Sequence, residues 1–126
     1  MPGQTNEDFK KRLIIRVFQL ARQVIRIVDQ FPNKKSAWVI SDQLLRSATS
    51  IGANIVEAQA ASSKKDFVNF LNHALKSGNE TKFWLALAKD LDSKLINQIN
   101  KILKETDELV KILGSSIATL KGKKKL

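Results

Sequence analysis

The sequence predicts an all-α fold, an antiparallel up-down-up-down, left-handed four-helix bundle. Four long segments carry apolar residues at spacings of three and four, which is the periodicity of one helix face. Connections of about three to six residues separate them, and connections this short make neighbouring helices run in opposite directions. No segment alternates apolar and polar residues between turn signals, so no strand is predicted.

The first two predicted helices cover residues 6–30 and about 36–60. Phe31 and Pro32 end the first helix, because the residue before a proline is pushed out of the helical region. The core faces are predicted to hold Phe9, Leu13, Val17, Leu20, Val24 and Ile27 in the first helix, and Ile40, Leu44, Ala48, Ile51, Ile55 and Ala58 in the second.

The third predicted helix begins at Ser63, where Ser63 and Asp66 form a capping-box pattern, and it extends to Ala88. The fourth has the clearest periodicity, since its apolar residues from Leu95 to Leu120 alternate spacings of four and three. Residues 1–120 are therefore predicted to form one bundle domain, followed by a basic flexible tail at residues 121–126.

Positive charge dominates the composition. The chain has 22 Lys and Arg against 12 Asp and Glu, a net charge of +10, and the lysine-rich tail contributes four of the lysines. Without the tail the balance is 18 − 12 = +6, so the folded body is basic as well. Such a surplus favours a polyanionic partner, either nucleic acid, an acidic protein or an anionic membrane surface. Alternatively, it serves only to keep the chain soluble.

The first helix is the best candidate for a polyanion-binding surface, since no acidic residue interrupts its basic residues from Phe9 to Val28. Phosphate contacts of this kind would give affinity with little sequence preference. The predicted nucleic-acid-binding residues are Lys10, Lys11, Arg12, Arg16, Arg22 and Arg26 of this helix, with Lys121, Lys123, Lys124 and Lys125 of the tail.

Helices one to three carry more apolar surface than a monomeric bundle buries. A single bundle needs an apolar stripe a little over about 100° wide, and the first helix spreads apolar residues over about half of its circumference. Because exposed patches of this size mark interfaces, the sequence predicts a homo-oligomer. Alternatively, helix tilt buries the extra stripes within one subunit. The predicted interface residues are Trp38, Leu45, Val56, Phe83 and Leu87.

Residues suited to catalysis or metal binding are scarce. The chain has no cysteine and one histidine, His73, which shares a helical face with Ser77 and Glu80. A serine in the middle of a helix has no free backbone donors beside it to form an oxyanion hole, so a polar strip between helices is the favoured interpretation. Glycine-rich phosphate loops and metalloprotease spacings are also absent. The sequence predicts no enzyme, no cofactor and no metal.

Polar residues at helical spacing also mark the second helix. Arg46 lies one turn from Asp42 and Ser50, and Asn54 lies one turn from Ser50 and Glu57. This spacing predicts a ladder of hydrogen bonds that holds helices or subunits in register. Gln43 lies beside these residues.

The amino-terminal residues are polar and lack the apolar centre of a signal peptide. The longest wholly apolar run is the six residues from Phe83 to Ala88, much shorter than a membrane span. We therefore expect a cytoplasmic protein of bacterial type with no membrane partner.

The second helix resembles a family signature, carried by residues 43–46 (QLLR) and 50–57 (SIGANIVE). The chain is similar over nearly its whole length to the family called four helix bundle protein, or intervening-sequence protein of large-subunit ribosomal RNA genes. The resemblance implies a ring-like homopentamer without known catalysis. It also adds Ser77 and Glu80 to a structural polar motif, whose other members are Gln43, Arg46, Ser50, Asn54 and Glu57.

The accessory variability protein of diversity-generating retroelements is similar to this family in architecture, and it binds nucleic acid and a reverse transcriptase. The resemblance thus implies a nucleic-acid enzyme, such as a reverse transcriptase, as a partner. Two functions stay open at this point. The first is a non-catalytic homo-oligomeric scaffold that binds RNA or DNA through basic surfaces. The second is an oligomeric interaction module for an acidic protein, without physiological nucleic-acid binding.

Overall fold

The computed structural model describes residues 6–122, which contain four α-helices and no strand. A short 3₁₀ turn at Ser93–Leu95 leads into the last helix. The helices are α1 (Asn6–Val28), α2 (Lys35–Ala58), α3 (Lys64–Ala88) and α4 (Ile96–Leu120). The predicted all-α fold with four helices is confirmed, and the helix ends differ from the predicted ones by at most two residues.

Local sequence explains where the helices begin. The Ser63 hydroxyl accepts a hydrogen bond from the Asp66 backbone N–H at 3.0 Å, as the capping box requires. The reciprocal bond to the Asp66 carboxylate comes from the backbone N–H of Ser62, at 3.2 Å, instead of from Ser63. Before α4, the Asp92 carboxylate accepts from the Lys94 N–H at 3.0 Å.

One apolar core runs the length of the bundle. Each helix packs against its neighbours in sequence, and α1 also packs against α4. Within residues 6–122, the backbones of α1 and α3 do not approach each other closely, nor do those of α2 and α4, so the helices surround the core as four sides. The largest fully buried apolar side chains are Leu20, Ile27, Leu44, Ile51, Ile55, Leu85, Ile99, Leu109 and Leu113.

Contacts between α2 and α3 show that these two helices are antiparallel, because Ser47 meets Thr81 while Ser50, further along α2, meets Ser77, earlier in α3. The hydroxyl hydrogen bonds of the two pairs are 3.0 Å and 2.9 Å long. The up-down order of the whole bundle and its left-handed twist stay predictions of the sequence.

Small residues bring α3 close to its neighbours. A Cβ atom added to Gly78 would lie 2.7 Å from Cγ2 of Val110 in α4, closer than carbon atoms normally approach.

Three polar residues, Ser47, Thr81 and Thr106, are also buried in the core. Each makes a hydrogen bond, so no described buried side-chain polar atom lacks a partner.

Candidate nucleic-acid interface

Helix α1 carries more net positive charge than any other helix of the bundle. Its six basic residues and two acidic ones, Glu7 and Asp8, give 6 − 2 = +4, whereas α4 has three of each and is neutral. Five apolar side chains of α1 are buried in the core. The basic residues therefore lie on the remaining surface of the helix, which is available to a partner.

The outer surface of α1 divides into two arcs by helical spacing. The polar arc consists of Arg12, Arg16, Gln19, Gln23 and Arg26, of which all but Arg16 are exposed. The apolar arc consists of Ile15, Phe18, Arg22 and Ile25; its three apolar residues are 55%, 62% and 48% exposed, respectively.

Two carboxylates of α4 already bind Arg16. Its Nε and Nη2 atoms donate to Glu105 at 2.9 and 2.7 Å, and Nη2 also donates to Glu108 at 2.9 Å. The hydrogen bonds to Glu105 raise the pKa of Arg16 above its usual range, and burial opposes them only in part. We expect Arg16 to contribute less to phosphate binding than the exposed arginines.

A polar cavity of about 350 Å³ lies between α1 and α4, lined by Arg16, Gln19 and Gln23 from one side and by Lys101 and Glu105 from the other. Lys101 was not among the residues predicted to bind nucleic acid. Lys101 stands four residues before Glu105, and residues four apart share a helix face. This spacing was the sequence signal that could have identified Lys101. Lys101 extends the positive surface of the polar arc onto α4.

Two further basic residues of α1 contact aromatic rings. Lys10 is half-buried, and its Nζ lies 5.7 Å from the centre of the Phe67 ring of α3. The guanidinium of Arg22 lies 5.2 Å from the centre of the Phe18 ring, one turn earlier in α1. Both distances are within the range of a cation–π interaction, which holds each cation against the protein surface. Lys11 is exposed.

The start of the tail lies at the same end of the bundle as the first turns of α1. Phe9 and Lys10 of α1 line one cavity together with Thr119 and Leu120 of α4, and the exposed Lys121 follows directly. Three predicted tail residues, Lys123, Lys124 and Lys125, lie outside the described residues.

The polar motif assembles as two sets between α2 and α3. In the first set, Arg46 donates from Nη2 and Nε to Oε1 of Gln43 at 2.9 and 3.2 Å, and it forms an ion pair with Glu80. Trp84 Nε1 donates to the same Glu80 carboxylate at 3.2 Å. Arg46 therefore contacts Gln43 and Glu80, not the Asp42 and Ser50 that its spacing suggested. Its side chain is 55% exposed, so a single chain does not desolvate this pair.

The second set surrounds Ser50. Ser77 donates its hydroxyl to Ser50 Oγ at 2.9 Å, and Asn54 Nδ2 donates to the same oxygen at 3.1 Å. Glu57 is exposed and takes part in neither set among the described hydrogen bonds. Because Ser77 and Glu80 both bind residues of α2, they do not form a triad with His73 in the described structure.

The predicted interface residues are largely exposed in the isolated chain. Trp38, Val56 and Phe83 are each more than half exposed, Leu87 is 38% exposed, and Leu45 is partly buried. Helix tilt therefore does not bury these stripes within one subunit.

Phe9, which was predicted to lie in the core, is 40% exposed. The other large exposed apolar residues form two patches. A Cβ atom added to Gly52, which is on the same side of α2 as Val56, would lie 3.5 Å from Cγ2 of Val17 in α1, so this side borders α1. The first apolar patch is Ile15, Phe18, Ile25, Trp38 and Val56. Val39 shares a face of α2 with Arg46. Arg46 pairs with Glu80 of α3, and Glu80 lies one turn before Phe83, so Val39 and Phe83 lie on the same side of the α2–α3 pair. The second apolar patch is Val39, Phe83 and Leu87.

Neither a metal site nor a membrane span is found in residues 6–122. No three His, Cys, Asp or Glu side chains there are grouped so that they could hold a metal ion. No helix of this part of the chain combines the length and the apolar character needed to cross a bilayer.

Comparison with known proteins identifies the family. Residues 10–115 match the family model of the 23S rRNA-intervening sequence protein. A solved structure of a protein with unknown function, from the S23 ribosomal protein family of Bacteroides thetaiotaomicron VPI-5482, is 38% identical, with a TM-score of 0.76 over 83% of this chain and 97% of that chain. No curated protein is significantly similar. The chain belongs to the 23S rRNA-intervening sequence protein family.

Proposed function

We propose that this chain is a non-catalytic, homo-oligomeric scaffold that binds RNA through the polar arc of α1 and assembles through its two apolar patches. The observation that carries the proposal is the concentration of charge on α1, which holds +4 of the net +10 and keeps Arg12 and Arg26 exposed. The family name supports RNA as the nucleic acid. A cytoplasmic location and an accessory role beside a nucleic-acid enzyme are parts of the same proposal.

The contacts to RNA would be made to phosphates. An arginine fork donates two parallel hydrogen bonds to a phosphate, and Arg12, Arg26 and Lys101 lie along one side of the α1–α4 pair. The glutamines between them, Gln19 and Gln23, add amide donors at the same surface. Phosphate contacts distinguish poorly between sequences, so we expect recognition of backbone shape and charge.

Assembly would place several copies of this surface in one particle. The two apolar patches differ in shape and composition, and a contact between unlike patches is heterologous, the type that closes into a ring when the rotation permits. A ring repeats the charge of α1 around the particle, and the summed field raises the local concentration of a polyanion. We propose a pentamer.

The RNA part of the proposal is tested by fluorescence anisotropy with a labelled RNA hairpin across a salt series. We expect the triple variant Arg12→Gln, Arg26→Gln, Lys101→Gln to bind more weakly and to flatten the plot of log affinity against log salt by about 0.7–0.9 for each phosphate that the protein no longer neutralises. The matched control removes the same charge elsewhere, through Lys34→Gln, Lys35→Gln and Lys76→Gln.

Equal slopes for the triple variant and its parent would show that the surface is wrongly assigned. If the parent binds neither hairpin nor single strand at low salt, an acidic protein becomes the better candidate partner. The variant and the control carry the same net charge, so a difference between them reports the location of the charge and not its total.

The assembly part is tested by light scattering coupled to size exclusion. We expect the mass of about five chains of 14.1 kDa for the parent, and a smaller particle with full helicity for Trp38→Asp. Lys76→Asp, on exposed polar surface of α3, is the control for adding an acidic residue. A monomeric parent at tens of micromolar would contradict the proposal.

A further inference from the structure

A large cavity opens at the end of the bundle where α1 and α3 begin and α2 and α4 end. Its volume is about 780 Å³, within the range of pockets that enclose small-molecule ligands. All four helices contribute apolar side chains to its wall. These include Phe9, Leu13, Ile55, Phe67, Leu71 and Leu120.

The cavity forms because α4 presents small side chains at this end of the bundle. Ser116 and Thr119 line the wall at positions where larger apolar residues would fill the space. The core leucines here keep some exposure, 9% for Leu13 and 4% for Leu71, whereas Leu20 in the centre of α1 has none. The apolar wall is therefore accessible from outside.

The two charged side chains that line the cavity are both cations. Lys10 and Lys111 line it, and no described acidic residue does. The ammonium group of Lys10 lies over the Phe67 ring at 5.7 Å, and Lys111 is 75% exposed beside Asp107, at 3.1 Å. Gln59, Ser116 and Thr119 supply further polar groups. An apolar chamber beside two cations is complementary to an anion with a long apolar body.

We propose that this cavity binds a free long-chain carboxylate, with its alkyl chain among Leu13, Ile55 and Leu71 and its carboxylate at Lys10 and Lys111. This site is separate from the polar arc of α1, so it does not depend on RNA binding. In this assignment Lys10 serves the cavity and not the RNA surface. Each methylene transferred from water to the chamber strengthens binding by about fourfold.

The test is isothermal titration of the full-length protein with octanoate, decanoate and dodecanoate below their micellar concentrations. We expect one site per chain and an affinity that rises about fourfold per methylene, with 1-dodecanol and dodecyltrimethylammonium binding more weakly than dodecanoate. Affinity independent of chain length, or a preference for the cationic amphiphile, would overturn the assignment.

Variants locate the site. Lys111→Gln should weaken dodecanoate binding by about two- to fivefold, as expected for one exposed charge contact, while Lys104→Gln on the same helix should leave it unchanged. Ser116→Phe should fill the chamber and abolish binding, with helicity checked by circular dichroism. Equal effects of Lys111→Gln and Lys104→Gln would refute the site.

Two further results would also overturn the inference. Binding that appears only after removal of residues 1–5 would assign the cavity to the chain's own amino-terminal segment. Binding to phosphatidylglycerol vesicles without binding to free dodecanoate would assign this end of the bundle to a lipid surface.

Discussion

Helices α1 and α4 lie side by side and share the same core, yet their outer surfaces are opposite in character. α1 has a net charge of +4 and leaves Ile15, Phe18 and Ile25 about half exposed or more. α4 has no net charge, and none of its large apolar residues is among the exposed ones in residues 6–122. α4 uses its apolar residues to build the core, whereas α1 has more apolar residues and charge than the core and solubility require. We therefore propose that α1 is the helix that meets partners.

The sharpest test of this difference is truncation of one large side chain on each helix. Leu109 of α4 is 1% exposed, so Leu109→Ala should lower the free energy of unfolding by about 2–5 kcal/mol, because less apolar surface is buried and a cavity forms. Phe18 of α1 is 62% exposed, so Phe18→Ala should change that free energy by about 0.5 kcal/mol or less. Urea unfolding at concentrations that keep the chain monomeric measures both. Similar decreases would mean that the outer face of α1 is buried within the subunit.

Glycine substitutions test how closely α4 is packed. Alanine at Gly78 meets Val110 of α4 at 2.7 Å, whereas alanine at Gly114, within α4, meets nothing within 4 Å. Both variants gain about 1 kcal/mol of helix propensity, so their difference isolates the steric cost. We expect Gly78→Ala to be about 1–3 kcal/mol less stable than Gly114→Ala by thermal unfolding. Equal melting temperatures would show that α3 and α4 separate without cost.

Arg16 sharpens the comparison because it joins the two helices. Its ion pairs with Glu105 and Glu108 are partly exposed, so Arg16→Gln should cost about 1 kcal/mol of unfolding free energy or less, decreasing with added salt. Arg26→Gln, in the same arc, should cost less stability but more RNA affinity, because the Arg26 side chain is exposed and forms no ion pair with a carboxylate within residues 6–122. Denaturation and anisotropy on the same two variants give the two rankings. If one of the two variants showed the larger loss of both stability and RNA affinity, the proposed difference in role between Arg16 and Arg26 would be contradicted.

The smallest effect is expected at the other side of α4. Hydrogen bonds from Lys82 and then Lys111, at 3.1 Å each, lower the pKa of Asp107 below its ordinary value of 3.8. Because the folded-state pKa is depressed, the carboxylate contributes stability above pH 3.8 and loses it as the pH falls through the lower folded-state pKa. In the Asp107→Asn variant, the urea concentration at the midpoint of unfolding should fall slightly less on acidification than it does in the parent. An unchanged pH profile would show that these surface contacts contribute nothing.

The fold could be predicted because its signals are local. Helical periodicity, the Pro32 break and the Ser63 cap act over a few residues, so the structure places helices where the sequence predicts them. The core of α3 was harder. The large apolar residues Phe67 and Phe70 are only partly buried, while Val68 and Gly78 are buried. When apolar residues stand at consecutive positions, the sequence does not determine which face of the helix is buried. Packing against the neighbouring helices determines it.

The candidate site was predictable in composition but not in pairing. Within α2, spacing correctly related Asn54 to Ser50, since the two are one turn apart. The partner of Arg46 across the bundle is Glu80, 34 residues away, and the partner of Arg16 is Glu105, 89 residues away. No local pattern encodes either pairing, because both depend on the relative rotation and register of two helices.

By itself, the sequence determined the four helices, the surplus of charge on α1 and the tail, the excess of apolar residues and the polar motif. These properties are sums over residues or follow from spacing along one helix, so packing does not change them. Tertiary structure alone decided that Arg16 pairs with Glu105, that the apolar surplus of α1 to α3 stays exposed, and that small α4 side chains leave a cavity beside Lys10 and Lys111. Each of these depends on distances of a few ångströms between residues far apart in the chain, which only the packed bundle sets.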